Sequence, residues 1–154
     1  EHDVLKRFDG IVREHKFDPV VRITADCPLV DPCIVEAMLL KFVHGSAPTR
    51  YLSNAHPTRT MPTGFDVEVF TAELLLEADR KATKQSDREH VTPYMHLVGT
   101  TWKPVIDVGD VDQKLSVDTQ ADFDRVRKIF SLCVTRHGWY FDYKQALAIA
   151  KEVA

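Results

Sequence analysis

Two aspartates stand where α/β proteins collect their ligands. Asp26 comes directly after the β-branched run VVRIT and Ala25, and Asp118 directly after KLSV; a helix start follows each. If those runs are adjacent parallel strands, the two carboxylates meet at one sheet edge. A pair of carboxylates suits a hard divalent cation such as Mg²⁺, which keeps water and substrate phosphates for its other positions. Aspartate is also common at strand ends and helix N-caps, so the spacing alone leaves both readings open.

Other residue types add further chemistry. In FDVEVF the alternation puts Asp66 and Glu68 on one face and Phe65, Val67 and Val69 on the other. That face either aims two acceptors at a ligand or looks into solvent. Asn54, after YLS, is a ligand contact or a turn residue. Arg88, Glu89 and His90 share one helical turn, with Ser86 and Glu89 at capping-box spacing. His90 and His96 are six apart, which argues against a zinc site on one helix face. Asp110 and Asp112 form an Asp-Val-Asp in a turn, where acidic residues are expected anyway. Arg22 is as much a candidate for a buried ion pair as for a phosphate contact. Cys27 has no neighbouring base and reads as packing.

The elements that position these groups follow from periodicity. A first helix carries Val4, Leu5, Phe8, Ile11 and Val12 on one stripe. Strand VVRIT leads through ADCPLVDP into a helix capped by Asp31 with Pro32 in its first turn. Residues Ser46 to Gly64 are irregular, apart from a short strand near Tyr51 and Leu52. Then come strand FDVEVF, a helix capped by Thr71, a short helix from Ser86, strands WKPVIDV and KLSV, a helix capped by Thr119 and a last amphipathic helix. No repeat or linker interrupts them, so residues 1–154 read as one domain.

Composition narrows the class. The 154 residues are 44% hydrophobic and carry a formal net charge of −3, without the basic face of a nucleic-acid or membrane-surface binder. No apolar run approaches the ~20 residues of a membrane span. Three cysteines, none in a CxxC, fit reduced thiols in a cytoplasmic protein.

In order along the chain, VVRITADCPLVDP, YLSN, MPTGFDVEVF, SDREHVTPY and LSVDTQADFD resemble the cytidylyltransferase family, most of all its spore coat polysaccharide biosynthesis protein F branch. The resemblance covers most of the chain. It implies a three-layer α/β/α nucleotide-diphospho-sugar transferase fold, and passage of CMP from CTP to a sugar or sugar-acid hydroxyl with release of pyrophosphate. Asp26 and Asp118 match the family's Mg²⁺-binding, catalytic aspartates. Asn54, Asp66, Glu68, Arg88 and His90 become expected substrate contacts, and relatives pair as homodimers, with Ser46 to Gly64 the expected interface. Ala25 stands where the family more often has Gly, and Thr63 where it has an acidic residue. The family's opening Gly/Arg/Lys-rich phosphate loop has no match here. The fold is therefore expected to be N-terminally truncated, and the chain alone inactive. Two other readings remain: a glycosyltransferase using Asp110 and Asp112, and a non-catalytic sugar-binding or oligomerisation module.

Overall fold

The structure, a computed structural model, describes residues 3–45, 49–101 and 111–153. Its core is a four-stranded sheet of short strands: β1 (Val20–Arg22), β2 (Tyr51–Ser53), β3 (Glu68–Phe70) and β4 (Thr100–Thr101). They lie in the order β1-β3-β2-β4. Strand β3 runs antiparallel to both neighbours, and β4 is parallel to β2. The six α-helices are α1 (Val4–His15), α2 (Pro32–His44), α3 (Ala72–Lys81), α4 (Gln85–His90), α5 (Gln120–His137) and α6 (Tyr143–Glu152).

The register turns a three-residue alternation into three rows across the sheet. Val20, Phe70 and Tyr51 are aligned, and so are Val21, Val69 and Leu52. The first row packs with Leu5, Val12, Leu74, Leu75 and Ala78 of α1 and α3. The second packs on the opposite face with α2, α5 and α6, through Ile34, Met38, Val126, Ile129 and Ile149. Two apolar faces covered by helices give the expected three layers. Phe65 and Val67 join the second face, as the alternation predicts. The third row is polar: Arg22, Glu68 and Ser53. By the period of two it shares the α1/α3 side but lies beyond those helices' apolar contacts.

Most helix starts match their sequence signals. Asp31 accepts from the Cys33 amide with Pro32 behind it, and Thr71 accepts from that of Leu74. Thr119 and Asp122 close a capping box on α5. The Ser86–Glu89 capping box does not form: α4 begins one residue earlier, with Lys84 at its N-cap, and the Ser86 hydroxyl turns to Asp87. Strand WKPVIDV and Asp110 lie outside the described residues.

KLSV is the larger correction. It forms no ladder strand, only an isolated parallel bridge between Thr63 and Lys114. Two backbone bonds anchor it: the Leu115 amide donates to the Thr63 carbonyl (2.8 Å) and the Val117 amide to that of Asp26 (2.9 Å). Gly64 lets the chains come this close. Its φ is +103°, and a Cβ there would lie 2.5 Å from both the carbonyl carbon and oxygen of Leu115. Gly64→Ala should cost roughly 2–4 kcal/mol, from left-handed backbone strain and forced displacement of residue 115. Urea denaturation checks this; a variant as stable as the parent would show that the contact gives way freely.

Candidate active site

The polar row opens into a cavity of about 180 Å³, lined by Arg22, Thr24, Asp66, Glu68, Thr92 and three histidines, His56, His90 and His96, among others. Glu68 is its electrostatic centre. Buried to 6% exposure, it accepts from the Tyr51 hydroxyl at 2.5 Å and forms an ion pair with Arg22. Burial alone would push its carboxyl up. His96, the Arg22 charge and the hydroxyls of Tyr51 and Thr92 outweigh burial and hold it at about 2. The same contact, with burial first, pushes the Tyr51 phenol up. Arg22 is thus the structural ion pair, one of the two roles open to it.

Asp66 lies on the same rim. Arg59 grips it through both nitrogens of its fork, Nη1 to Oδ1 at 2.6 Å and Nη2 to Oδ2 at 2.9 Å. His56 and His96 stack with ring centroids 3.9 Å apart. The His96 Nε2 is shielded from solvent, has no hydrogen-bond partner and lies 3.8 Å from the Glu68 Oε1. Neither Arg59 nor the histidine stack was foreseen. Arg59 and His56 sit in the irregular stretch, where no periodicity assigns a face.

The cavity joins the Asp26 loop through short steps. The Thr24 hydroxyl is 3.3 Å from the Cys27 Sγ, which is 3.7 Å from the Asp26 Oδ1. Cys27 is buried and its thiol is pushed up by that burial, in keeping with packing rather than nucleophilic work. Asp26 and Asp118 are neighbours because the Val117 amide donates to the Asp26 carbonyl. The Lys114 ammonium lies 2.8 Å from the Asp118 Oδ2 and 2.6 Å from the Asp122 Oδ2.

Asp26 and Asp118 are the residues here that could hold a divalent cation. They offer two hard carboxylates on adjoining segments, neither fully buried, with the Lys114 ammonium already on that of Asp118. Among the described residues no group of three or more His, Cys, Asp or Glu gathers as a metal cage. A site ligated by protein alone is therefore not the arrangement seen.

Three of the expected substrate contacts, Asp66, Glu68 and His90, line the cavity together. Two others are committed elsewhere. Asn54 is fully buried; its amide donates to the Phe65 carbonyl (2.7 Å) and accepts from the Val67 amide (2.9 Å), so it shapes the loop before β3. Arg88 binds the carboxylates of Asp3 (2.7 Å) and Asp79 (2.6 Å) and the carbonyls of Asp79 and Ala82. It ties α4 to α1 and α3 instead of facing the cavity. Within the stretch expected as an interface, Tyr51 to Ala55 and Met61 are already buried by their own chain.

The Glu68 pairing carries a pH signature. Its folded value lies below the ordinary 4.5, so the stability it adds is present above that value and lost as pH falls toward about 2. Glu68→Gln should therefore be clearly less stable than the parent at neutral pH. The gap should close in acid, read by chemical denaturation at a series of pH values. A gap that stays constant with pH would mean that Glu68 is not held ionised by its partners.

No family model matches the chain. It is 26% identical over 136 residues to the spore coat polysaccharide biosynthesis protein SpsF of Bacillus subtilis, covering 84% of this chain and 54% of that protein. It is 33% identical over 96 residues to an uncharacterised protein of Methanocaldococcus jannaschii, covering 62% of this chain and 37% of that one. A cytidylyltransferase structure from Leptospira borgpetersenii superposes on 98% of this chain and 63% of its own, at a TM-score of 0.86 and 26% identity. The chain thus spans less than two thirds of each of these relatives. The shared sequence and the near-complete superposition agree with the ordered motifs: the chain is similar in sequence to a spore coat polysaccharide biosynthesis protein and in fold to a cytidylyltransferase.

Proposed function

We propose that the protein transfers CMP from CTP to the hydroxyl of a sugar or sugar acid, with release of pyrophosphate, in the synthesis of a surface polysaccharide. The observation that carries this reading is the backbone bond between Val117 and Asp26, which joins the segments carrying two aspartates far apart in sequence, with a polar cavity reached from the Asp26 loop through Cys27 and Thr24. Relatives of this chain are a cytidylyltransferase and a polysaccharide biosynthesis protein.

Asp26 and Asp118 would hold Mg²⁺, which when bound screens the triphosphate and stabilises negative charge on the departing pyrophosphate. The chain's own residues position the acceptor. Asp66 and Glu68 offer oxygens to sugar hydroxyls, and His90 lines the same cavity. Most of the catalysis then comes from placement and electrostatics, as in other transfers to phosphorus.

The supply of CTP makes the cytoplasm the expected compartment, in keeping with three free cysteines. No described helix is long and apolar enough to cross a membrane. A homodimer, with the stretch from Ser46 to Gly64 as its contact, completes the proposal.

Calorimetric titration of the full-length protein with CTP, UTP, ATP and GTP, with and without Mg²⁺, tests the reading. Binding should favour CTP and require the metal. Asp26→Asn and Asp118→Asn should each weaken the Mg²⁺-dependent binding by about tenfold or more, the loss of one charged ligand contact. Equal indifference to all four nucleotides would defeat the reading.

A further inference from the structure

The stacked histidines are the feature of the cavity that the proposed transfer leaves unexplained. A stack of two imidazoles against a buried carboxylate is an unusual use of a cavity wall. His56 is exposed on its outer side and lines the cavity, while His96 lies deeper, between His56 and the Tyr51–Glu68 pair. The Tyr51 ring centroid is 5.5 Å from that of His96. The groups that face the histidine pair are Glu68, Arg22, Tyr51, Asp66, Arg59 and His90. Both arginines are already engaged with carboxylates, Arg22 with Glu68 and Arg59 with Asp66.

A transfer to a sugar hydroxyl must dispose of one proton. Asp66 and Glu68 are poor bases for it, because each already has a guanidinium on it. An imidazole matched to neutral pH is the suitable type. Resting on the transfer reading above, we propose that His56 is the general base that takes the proton of the acceptor hydroxyl, with His96 and Glu68 as the positioning pair behind it.

The step balances. The acceptor O–H gives its proton to an imidazole nitrogen of His56, and its oxygen forms a bond to the α-phosphorus. The bond from that phosphorus to the pyrophosphate oxygen breaks, and pyrophosphate leaves with the electron pair. The imidazolium returns its proton to water when the product departs. Glu68, within 4 Å of His96, offsets the positive charge that gathers on the stack during the step. His56 also starts in the right form. Desolvation first, then the adjacent His96, holds it below the usual imidazole range, so it is neutral and able to accept at pH 7.

Two measurements on the full-length protein test this. The first follows pyrophosphate release from CTP and Mg²⁺ with a mixture of N-acetylneuraminate, 3-deoxy-manno-octulosonate and N-acetylglucosamine as acceptors. His56→Gln should lower kcat by about 10²-fold or more, leave the affinity for CTP unchanged, and abolish the acid limb of the pH–rate profile. His96→Gln should lower kcat less than His56→Gln does and shift that limb, as a positioning residue would. Release by His56→Gln at the parent rate overturns the proposal and leaves the transfer reading standing; failure of the protein to bind CTP defeats the transfer reading first. The second measurement needs no acceptor. In NMR titration the His56 ring should titrate below an exposed imidazole and move upward in His96→Gln, since a like-charged neighbour has gone. A His56 titration unmoved by that substitution overturns the coupling on which the proposal stands.

Discussion

Glu68 sits in the strand between β1 and β2, where Arg22 and Tyr51 reach it from either side. A carboxylate this buried stays ionised only while such partners remain, because removing one leaves an uncompensated charge in a low-dielectric setting. The requirement runs through the whole sheet. Arg22 is opposite Glu68 only if the register aligns Val20 with Phe70, and that register is what seats Val20 and Phe70 against α1 and α3. A one-residue slip would send Arg22 into the apolar layer under α2, α5 and α6. The polar cluster and the two cores therefore specify the same pairing, each penalising the alternatives the other would permit.

Around that centre the loops are held by single bonds rather than ladders. Asn54 takes the place of a strand neighbour for the residues before β3, satisfying one buried amide and one buried carbonyl at once. Arg59, a few residues on, clamps Asp66 with both arms. On the far side Thr63 and Asp26 each accept one amide from residues 115 and 117. Such stitching leaves carboxylates at the ends of segments instead of inside a ladder. The proposed transfer would use carboxylates placed there.

The sequence conveyed the parts that obey a period or a cap. The alternation in FDVEVF assigned Phe65, Val67 and Val69 to the core and Asp66 and Glu68 together to the other face. Asp31, Thr71 and Thr119 announced three helices. What stayed hidden was long-range and non-periodic. KLSV has the composition of a strand, yet it finds a partner at only one bridge, beside Gly64, where the crossing chain leaves no room for a Cβ. Arg88 offers the fork of an anion-binding residue, but Asp3 and Asp79 are 85 and 9 positions away and no local pattern reports them. Asn54 reads as a turn residue or a ligand contact, and its real task depends on backbone groups 11 and 13 residues further on. The histidine stack needs His56, after β2, and His96, before β4, to meet, a pairing that neither residue's neighbours imply.

The site thus holds two kinds of carboxylate with different capacities. Asp66 and Glu68 are neutralised by guanidinium groups, so a divalent cation entering the cavity would have to displace an arginine from each. Their remaining lone pairs suit hydroxyl donors, whose binding moves no charge. Asp26 has no ion-pair partner among the described residues, and Asp118 shares its lysine with Asp122. A hard cation loses least by going to that pair, which is still partly in water and can trade water for phosphate oxygens. On the proposed transfer, charge pairing inside the cavity would leave it to the acceptor, and its scarcity at Asp26 would leave that loop to the metal. The separation is electrostatic, since backbone bonds and a few side chains join the two regions directly. Arg22 and Arg59 act in it through the carboxylates they neutralise.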